Sequence, residues 1–234
     1  MAKDNMNFDL NFDFSSLTFE TQTEQEIKEI PKLNIEPVMF ENAEAMVDSI
    51  DYSRNYIAFV SGNFIFGDFI EALVFKKELK PDTVYLTTLG MNKNNIDSIV
   101  NLTDYLGTKQ VNLIISHYFA GVERHGLIPY MEQEFKNRPI NVGVLQQHAK
   151  IALIKSTKGD VLICGSANLS SSNNVEQFII MHSPTAISFI QNKLEMVMNR
   201  FKVIDGLEGA KMNWKYNKGN TGRKAFETLK GDAE

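Results

Sequence analysis

The sequence has little of what marks secreted, disulfide-bonded or membrane-spanning proteins. Its 234 residues include one cysteine, Cys164, so no disulfide can form within the chain. The first residues lack a basic segment followed by an apolar run, so we expect no signal peptide. No apolar run approaches the roughly 18 residues that a membrane-spanning helix needs. These absences favour a cytoplasmic protein with no membrane partner.

What is present is typical of a folded domain. Hydrophobic residues make up 43% of the chain and charged residues 23%, which provides enough apolar surface for a core. The net charge is −5, and the acidic excess falls in residues 1–40, which carry eight acidic and three basic residues. The rest of the chain is neutral overall, so any surface that binds a polyanion must be a local cationic one.

Changes in composition divide the chain into three parts. Residues 1–40 predict an acidic, flexible arm, residues 41–205 a single domain, and residues 206–234 a polar tail. The stretch 211–224 has five basic residues and no acidic one, with a tryptophan and a tyrosine among them. Such a segment suits contacts with nucleic acid, but a solvated tail whose tryptophan packs on the domain is the simpler interpretation, and we favour it.

The apolar pattern of the middle part alternates between strands and helices. Short apolar runs predict strands, and apolar residues every three or four positions predict helices between them. Before residue 139 the predicted strands are 56–60, 83–87 and 111–115, and the predicted helices are 66–79, 96–106 and 127–135. Beyond it strand follows strand until Ser183 and Pro184 begin a long helix. The expected fold class is α/β, with a mixed, mostly parallel sheet flanked by helices.

One predicted hairpin gathers the residue types of a phosphate site. His148 and Lys150 are two positions apart, as residues on one face of a strand are. A turn at Gly159 returns the chain beside them and brings Ser166 and Asn168, also two apart, to the same face. An imidazole, an ammonium, a hydroxyl and an amide are therefore expected in one place.

These groups suit the binding of a phosphodiester. Lys150 would offset the charge on the non-bridging oxygens, and Asn168 and Ser166 would donate hydrogen bonds to them. Gly165, which precedes Ser166, would let the backbone come close to the ligand.

His148 is the candidate nucleophile. Neutral imidazole can attack phosphorus to give a phospho-histidine that is later hydrolysed. A carboxylate such as Glu176 would hydrogen-bond the far ring nitrogen and fix its tautomer. The reaction needs a second imidazole to protonate the leaving oxygen, yet of four histidines only His148 begins an H-x-K sequence. A two-fold homodimer would bring two copies of His148 and Lys150 together.

This pattern resembles the signature of the phospholipase D superfamily, the HKD motif. The residues that carry the resemblance are His148-x-Lys150 followed by Gly165-Ser166-x-Asn168. The run that starts at Gly165 looks most like the nuclease branch, which includes small bacterial endonucleases and restriction endonucleases. The alternating strands and helices extend the resemblance to about residues 54–204.

The resemblance implies a phospholipase D-like fold and a set of site residues. These are His148 as nucleophile or partner acid, Lys150 and Asn168 as phosphate ligands, Ser166 in support, and Glu176 as the acidic residue that contacts the histidine. Relatives with a single motif work as homodimers. The full family pattern has an aspartate five residues after the lysine, where this chain has Lys155.

We therefore expect a metal-independent phosphodiesterase, most specifically an endonuclease that hydrolyses DNA. No metal or cofactor is expected, because the histidines are scattered and no Asp, Glu and His cluster has ligand spacing. One alternative is a phospholipase-type or other small phosphodiester hydrolase, although no basic amphipathic helix is visible. The other is an inactive nucleic-acid-binding or structural member, which Lys155 keeps open. His117 follows the third strand and would suit a grip on substrate, but a surface loop is the simpler interpretation.

Overall fold

The structure is a computed structural model that describes residues 35–40, 43–51, 54–60, 64–172 and 174–202. The predicted arm up to residue 34 and the predicted tail from residue 206 lie outside the described residues. The three-part division of the chain therefore stays a prediction.

The described residues form ten strands and six helices. The strands are β1 (Ile35–Phe40), β2 (Asn55–Val60), β3 (Phe64–Ile65), β4 (Pro81–Thr88), β5 (Val111–Ser116), β6 (Ile140–Leu145), β7 (Ile151–Ser156), β8 (Val161–Gly165), β9 (Ser171–Ser172) and β10 (Glu176–Met181). The helices are α1 (Ala43–Ser49), α2 (Phe66–Lys76), α3 (Lys93–Asp104), α4 (His117–Val122), α5 (Leu127–Phe135) and α6 (Pro184–Phe201).

Eight of the strands form one mixed sheet in the order β1-β2-β10-β8-β7-β4-β5-β6, and β3 pairs with β9 separately. The predicted mixed sheet flanked by helices is confirmed. Its parallel pairs are β1–β2, β4–β5 and β5–β6, while the four described pairs at the centre are antiparallel. The pair β7–β8 is antiparallel because the short turn at Gly159, where φ is 135°, reverses the chain.

Two apolar layers cover the two faces of the sheet. Alternation along each strand sends Val84 and Leu86 to one face, where α1, α2, α3 and α5 pack, and Tyr85 to the other. Helix α6 covers that second face, and Pro184 occupies its first turn after the N-cap residue Ser183, as predicted. No described helix is both long enough and apolar enough to cross a membrane.

One edge of the sheet collects the chain segments that were predicted to carry chemistry. Strands β2, β4, β5, β6 and β8 end there, and β7 and β10 begin there, as their pairing registers show. We call this end of the sheet, where most strands have their carboxyl ends, the C-terminal edge; it is not the side of the sheet formed by an outer strand. The loops at this edge come from distant parts of the sequence, so the sheet alone brings their side chains together.

Strand β1, an outer strand of the sheet, was not predicted from the sequence. Residues 35–40, at the end of the segment predicted as a flexible arm, pair in parallel with β2. A strand that contains Pro37 is tolerated here because an edge strand pairs on one side only.

Candidate active site

His148 and Lys150 lie in the loop that joins β6 to β7 at the C-terminal edge. Their spacing predicts that both lie on a strand, but β7 starts at Ile151, so both residues precede it. Their side chains nevertheless meet, since Lys150 Nζ lies 3.1 Å from His148 Nδ1. The imidazole is exposed and the lysine half-buried. Because an ammonium group can only donate, Nδ1 is the acceptor in this contact, and Nε2 carries the proton of the neutral ring.

Polar contacts from β4 hold this loop in place. The buried hydroxyl of Thr87 donates to the carbonyl oxygen of Ala149 at 2.9 Å and accepts from the amide of Ile151 at 2.9 Å. Gln147 Nε2 donates to the carbonyl oxygen of Thr88 at 2.7 Å. The loop that carries His148 is therefore tied down on both sides of the histidine.

A second pair is formed by Ser166, directly after β8, and Glu176, the first residue of β10. The hydroxyl of Ser166 donates to Glu176 Oε2 and accepts from the amide of Gln177 at 3.0 Å. The carboxylate is buried and the serine exposed. Glu176 was predicted to hydrogen-bond His148, but the structure gives this carboxylate to Ser166. Since a hydroxyl has a single hydrogen, Ser166 in this arrangement positions Glu176 and does not donate to a ligand.

Asn168 is held so that its amide nitrogen remains a donor. The half-buried side chain accepts a hydrogen bond at Oδ1 from the amide of Leu89, 3.3 Å away, in the loop after β4. This contact fixes which end of the amide is the oxygen, and leaves the NH₂ group for donation, as binding to phosphate requires.

Gly165 has a packing role that the sequence does not show. A Cβ on this residue would lie 2.8 Å from the carbonyl oxygen of Gln177 and closer still to the ring of Phe178. That ring is fully buried and packs against Phe66, with ring centroids 5.0 Å apart. The close approach at Gly165 is thus to the core, and its predicted role beside a ligand stays a prediction.

Two residues near the motif are accounted for by the scaffold. Burial raises the pKa of Cys164 to about 11, so its thiol keeps its proton at neutral pH and is a poor nucleophile. Lys155 forms an ion pair with Asp160 across the turn between β7 and β8. It lies at the end of β7 remote from His148, roughly 15 Å along the strand at ~3.3 Å per residue.

A cleft of ≈ 350 Å³ opens beside His148. Its lining residues are Leu89, Ser116, His117, Tyr118, Gln146, Gln147 and His148. His117 begins α4 directly after β5, and burial lowers the pKa of its imidazole. His117 thus shares a cleft with the candidate nucleophile, a placement that the sequence analysis mentions but does not favour.

The structure brings the predicted residues together as two pairs and one anchored amide. The pairs are His148 with Lys150 and Ser166 with Glu176, and Asn168 is joined to the loop after β4. The roles of Thr87 and of the cleft were not predicted from the sequence. Two consecutive threonines that end an apolar strand were the available signal for Thr87. Among the described residues, no three His, Cys, Asp or Glu side chains lie together as metal ligands would.

Comparisons with known proteins give partial structural likeness. No protein-family model and no curated protein matches the sequence. NucT from Helicobacter pylori is 14% identical with a TM-score of 0.47, over 64% of this chain and 99% of that one. A phosphatidylserine synthase from Haemophilus influenzae is 12% identical with a TM-score of 0.46, over 66% of this chain and 41% of that one.

A third structure, the polyphosphate kinase from Porphyromonas gingivalis, is 22% identical with a TM-score of 0.41. The likeness covers 57% of this chain, which spans only 21% of that kinase. The chemistry of the candidate site therefore has to be argued from its own residues.

Proposed function

We propose that the protein is a phosphodiesterase that hydrolyses DNA through a phospho-histidine on His148, at a site completed by a second copy of the chain. The observation that carries the proposal is the contact of Lys150 Nζ with His148 on one exposed loop. It places a nucleophile and a cation for the phosphate within reach of the same ligand.

Binding of the phosphate changes the partner of Lys150. A phosphate oxygen is anionic and attracts an ammonium group more strongly than a neutral imidazole nitrogen does. We expect Lys150 to move from His148 Nδ1 to a non-bridging oxygen, joined there by the NH₂ group of Asn168. The imidazole proton can then sit on Nδ1, which leaves the lone pair of Nε2 for attack.

The reaction then proceeds in two displacements at phosphorus. In the first, His148 Nε2 forms a bond to phosphorus, the bond to the leaving oxygen breaks, and that oxygen takes a proton from His148 of the second copy, which enters the reaction as imidazolium. In the second, water attacks phosphorus and the N–P bond breaks. The imidazole of the second copy accepts the proton of the water and returns to its starting state.

Ser166 and Glu176 support this arrangement from the neighbouring strands. Glu176 is buried beside the start of β10, where its carboxylate accepts the hydroxyl of Ser166. A negative charge fixed at this edge favours nearby imidazolium and ammonium groups, which the reaction forms and uses. Their role in the proposal is to tune and position, and His148, Lys150 and Asn168 contact the substrate.

The test is cleavage of plasmid and single-stranded DNA by the purified protein in EDTA. We expect cleavage to persist without divalent cations, because Lys150 and Asn168 supply the positive charge and donors that metals supply elsewhere. His148→Ala should lower the rate at least ~10³-fold, in the range expected for loss of a nucleophile that also acts as acid and base. His125→Ala, a change of an exposed histidine in the turn after α4, is the matched control and should retain activity.

Other results would redirect the proposal. Undiminished cleavage by His148→Ala would remove the catalytic role of this residue, and a strict magnesium requirement would contradict the metal-independent reaction. Phosphatidylcholine assayed in parallel separates the lipid alternative, and binding of DNA without turnover would favour the inactive one.

A further inference from the structure

The cleft beside His148 is lined by an exposed aromatic ring together with side chains that can form hydrogen bonds. Of its seven lining residues only Leu89 is a large aliphatic one, and none is acidic. Tyr118 has 71% of its surface exposed, so its ring is presented to solvent where most tyrosines bury theirs.

Two polar atoms of the lining residues lack hydrogen bonds. Nδ1 of His117 and Oε1 of Gln147 are both buried without a partner among the described residues. An unpaired buried polar atom raises the free energy of the folded state, so such atoms are uncommon unless a ligand or water satisfies them. The edge of a nucleobase carries donors and acceptors side by side, which are the groups that these two atoms lack.

The cleft is also held in a fixed shape. Ser116 donates to the carbonyl oxygen of Leu89 at 2.8 Å and accepts from the amide of Phe119 at 3.0 Å, which joins the start of α4 to the loop after β4. The side of the cleft formed by α4 is therefore fixed relative to the side formed by Leu89. Its volume of ≈ 350 Å³ is in the range of pockets that hold a small organic group.

We infer that this cleft binds an unpaired nucleobase of the substrate, stacked on Tyr118, next to the phosphate held by His148 and Lys150. The inference rests on the proposed function for the position of that phosphate. A base within a duplex is already stacked and paired on both sides, so only a single-stranded or locally opened strand can place a base in the cleft. The protein should therefore prefer single-stranded nucleic acid to duplex.

The test measures binding without cleavage. In a His148→Ala background, fluorescence anisotropy gives the affinity for a short labelled single strand, for the same strand with its bases replaced by abasic tetrahydrofuran units, and for the matching duplex. Tyr118→Ala should weaken binding of the normal strand about 5- to 100-fold, the usual range for loss of one stacked base. It should not change binding of the abasic strand, and Tyr118→Phe should restore the affinity because a phenyl ring also stacks.

A matched control is Tyr105→Ala. Tyr105 has 80% of its surface exposed. It follows α3, at the end of the sheet opposite the C-terminal edge. We expect this variant to bind the normal strand as the parent does. Equal loss in Tyr105→Ala and Tyr118→Ala would overturn the inference, as would a loss in Tyr118→Ala that is the same for the normal and abasic strands.

The same variants distinguish failure of the proposed hydrolysis from failure of the base subsite. If the unmutated protein cleaves no nucleic acid but Tyr118→Ala still selectively weakens binding of the normal strand, the base subsite stands and the hydrolytic proposal fails. If cleavage of single strands is unaffected by Tyr118→Ala in both KM and kcat, the hydrolytic proposal stands and the base subsite is overturned.

Discussion

At the scale of single residues, the arrangement of the site depends on which side chain donates each hydrogen bond and which one accepts it. Lys150 can only donate, so it occupies the acceptor nitrogen of His148 until a stronger acceptor arrives. Ser166 has one hydroxyl hydrogen and gives it to Glu176. In the proposed mechanism, His148, Lys150 and Asn168 therefore contact the substrate, and the serine and glutamate support them.

Gly165 offers a prediction at this scale. Gly165→Ala should lower the free energy of unfolding by about 2 kcal/mol, because the added methyl group would press on the ring of Phe178 and on the backbone of Gln177. Urea unfolding followed by circular dichroism measures the effect. Gly90→Ala is the control, since a Cβ there would have its nearest neighbour at 3.9 Å. A Gly165→Ala variant that keeps its stability but loses cleavage would instead assign this glycine to the ligand.

At the scale of elements, strand β4 supports the loop that carries His148. Thr87 contributes both a donor and an acceptor to that loop, at Ala149 and Ile151. The position of His148 therefore follows from a residue some sixty positions earlier in the chain.

The corresponding prediction is that Thr87→Val lowers kcat by roughly 10- to 100-fold, as small displacements of a catalytic group do. It should also lower the free energy of unfolding by about 1–3 kcal/mol, because two backbone groups lose their partner. Thr87→Ser retains the hydroxyl and should restore kcat. Thr83→Val, on the same strand but away from the C-terminal edge, is the control for a general effect of valine, and a kcat loss there equal to that of Thr87→Val would contradict the supporting role.

The sequence was sufficient for elements whose signal is local. The apolar runs at 56–60, 83–87 and 111–115 lie within observed strands, and the cap at Ser183 marks the start of α6. Strand β1 was missed because its glutamate and proline interrupt the apolar pattern, and its pairing with β2 is what makes it a strand. Long-range pairing likewise decides local structure elsewhere in the sheet.

The same limit applies to the site. His148 and Lys150 were predicted to lie together as residues on one face of a strand; they do lie together, but in the loop before β7. The partner of Glu176 depends on the register of β10 against β8 and β2, which no local pattern encodes. The true start of β7 depends on the hydroxyl of Thr87, and the cleft depends on where α4 leaves β5.

At the scale of the whole molecule, the proposed site requires two copies of the chain. If each site uses both copies of His148, a dimer that contains one His148→Ala chain is inactive. An equal mixture of unmutated and mutant chains is allowed to exchange subunits. It should then have about a quarter of the activity of the same total concentration of unmutated protein, because only dimers of two unmutated chains cleave. Activity of about a half, or light scattering that shows only monomer under assay conditions, would contradict a shared site.

The position of the motif hairpin within the sheet has a consequence for stability studies. Strands β7 and β8 lie between β4 and β10, near the middle of the eight strands, and β7 pairs with β4, which is distant in sequence. Fraying of the outer strands would leave the loop that carries His148 in place. Separating β7 from β4, or β8 from β10, would disrupt the whole sheet. Loss of turnover in denaturant should therefore coincide with cooperative unfolding, and the backbone amides of β7 and β8 should be among the slowest to exchange with deuterium.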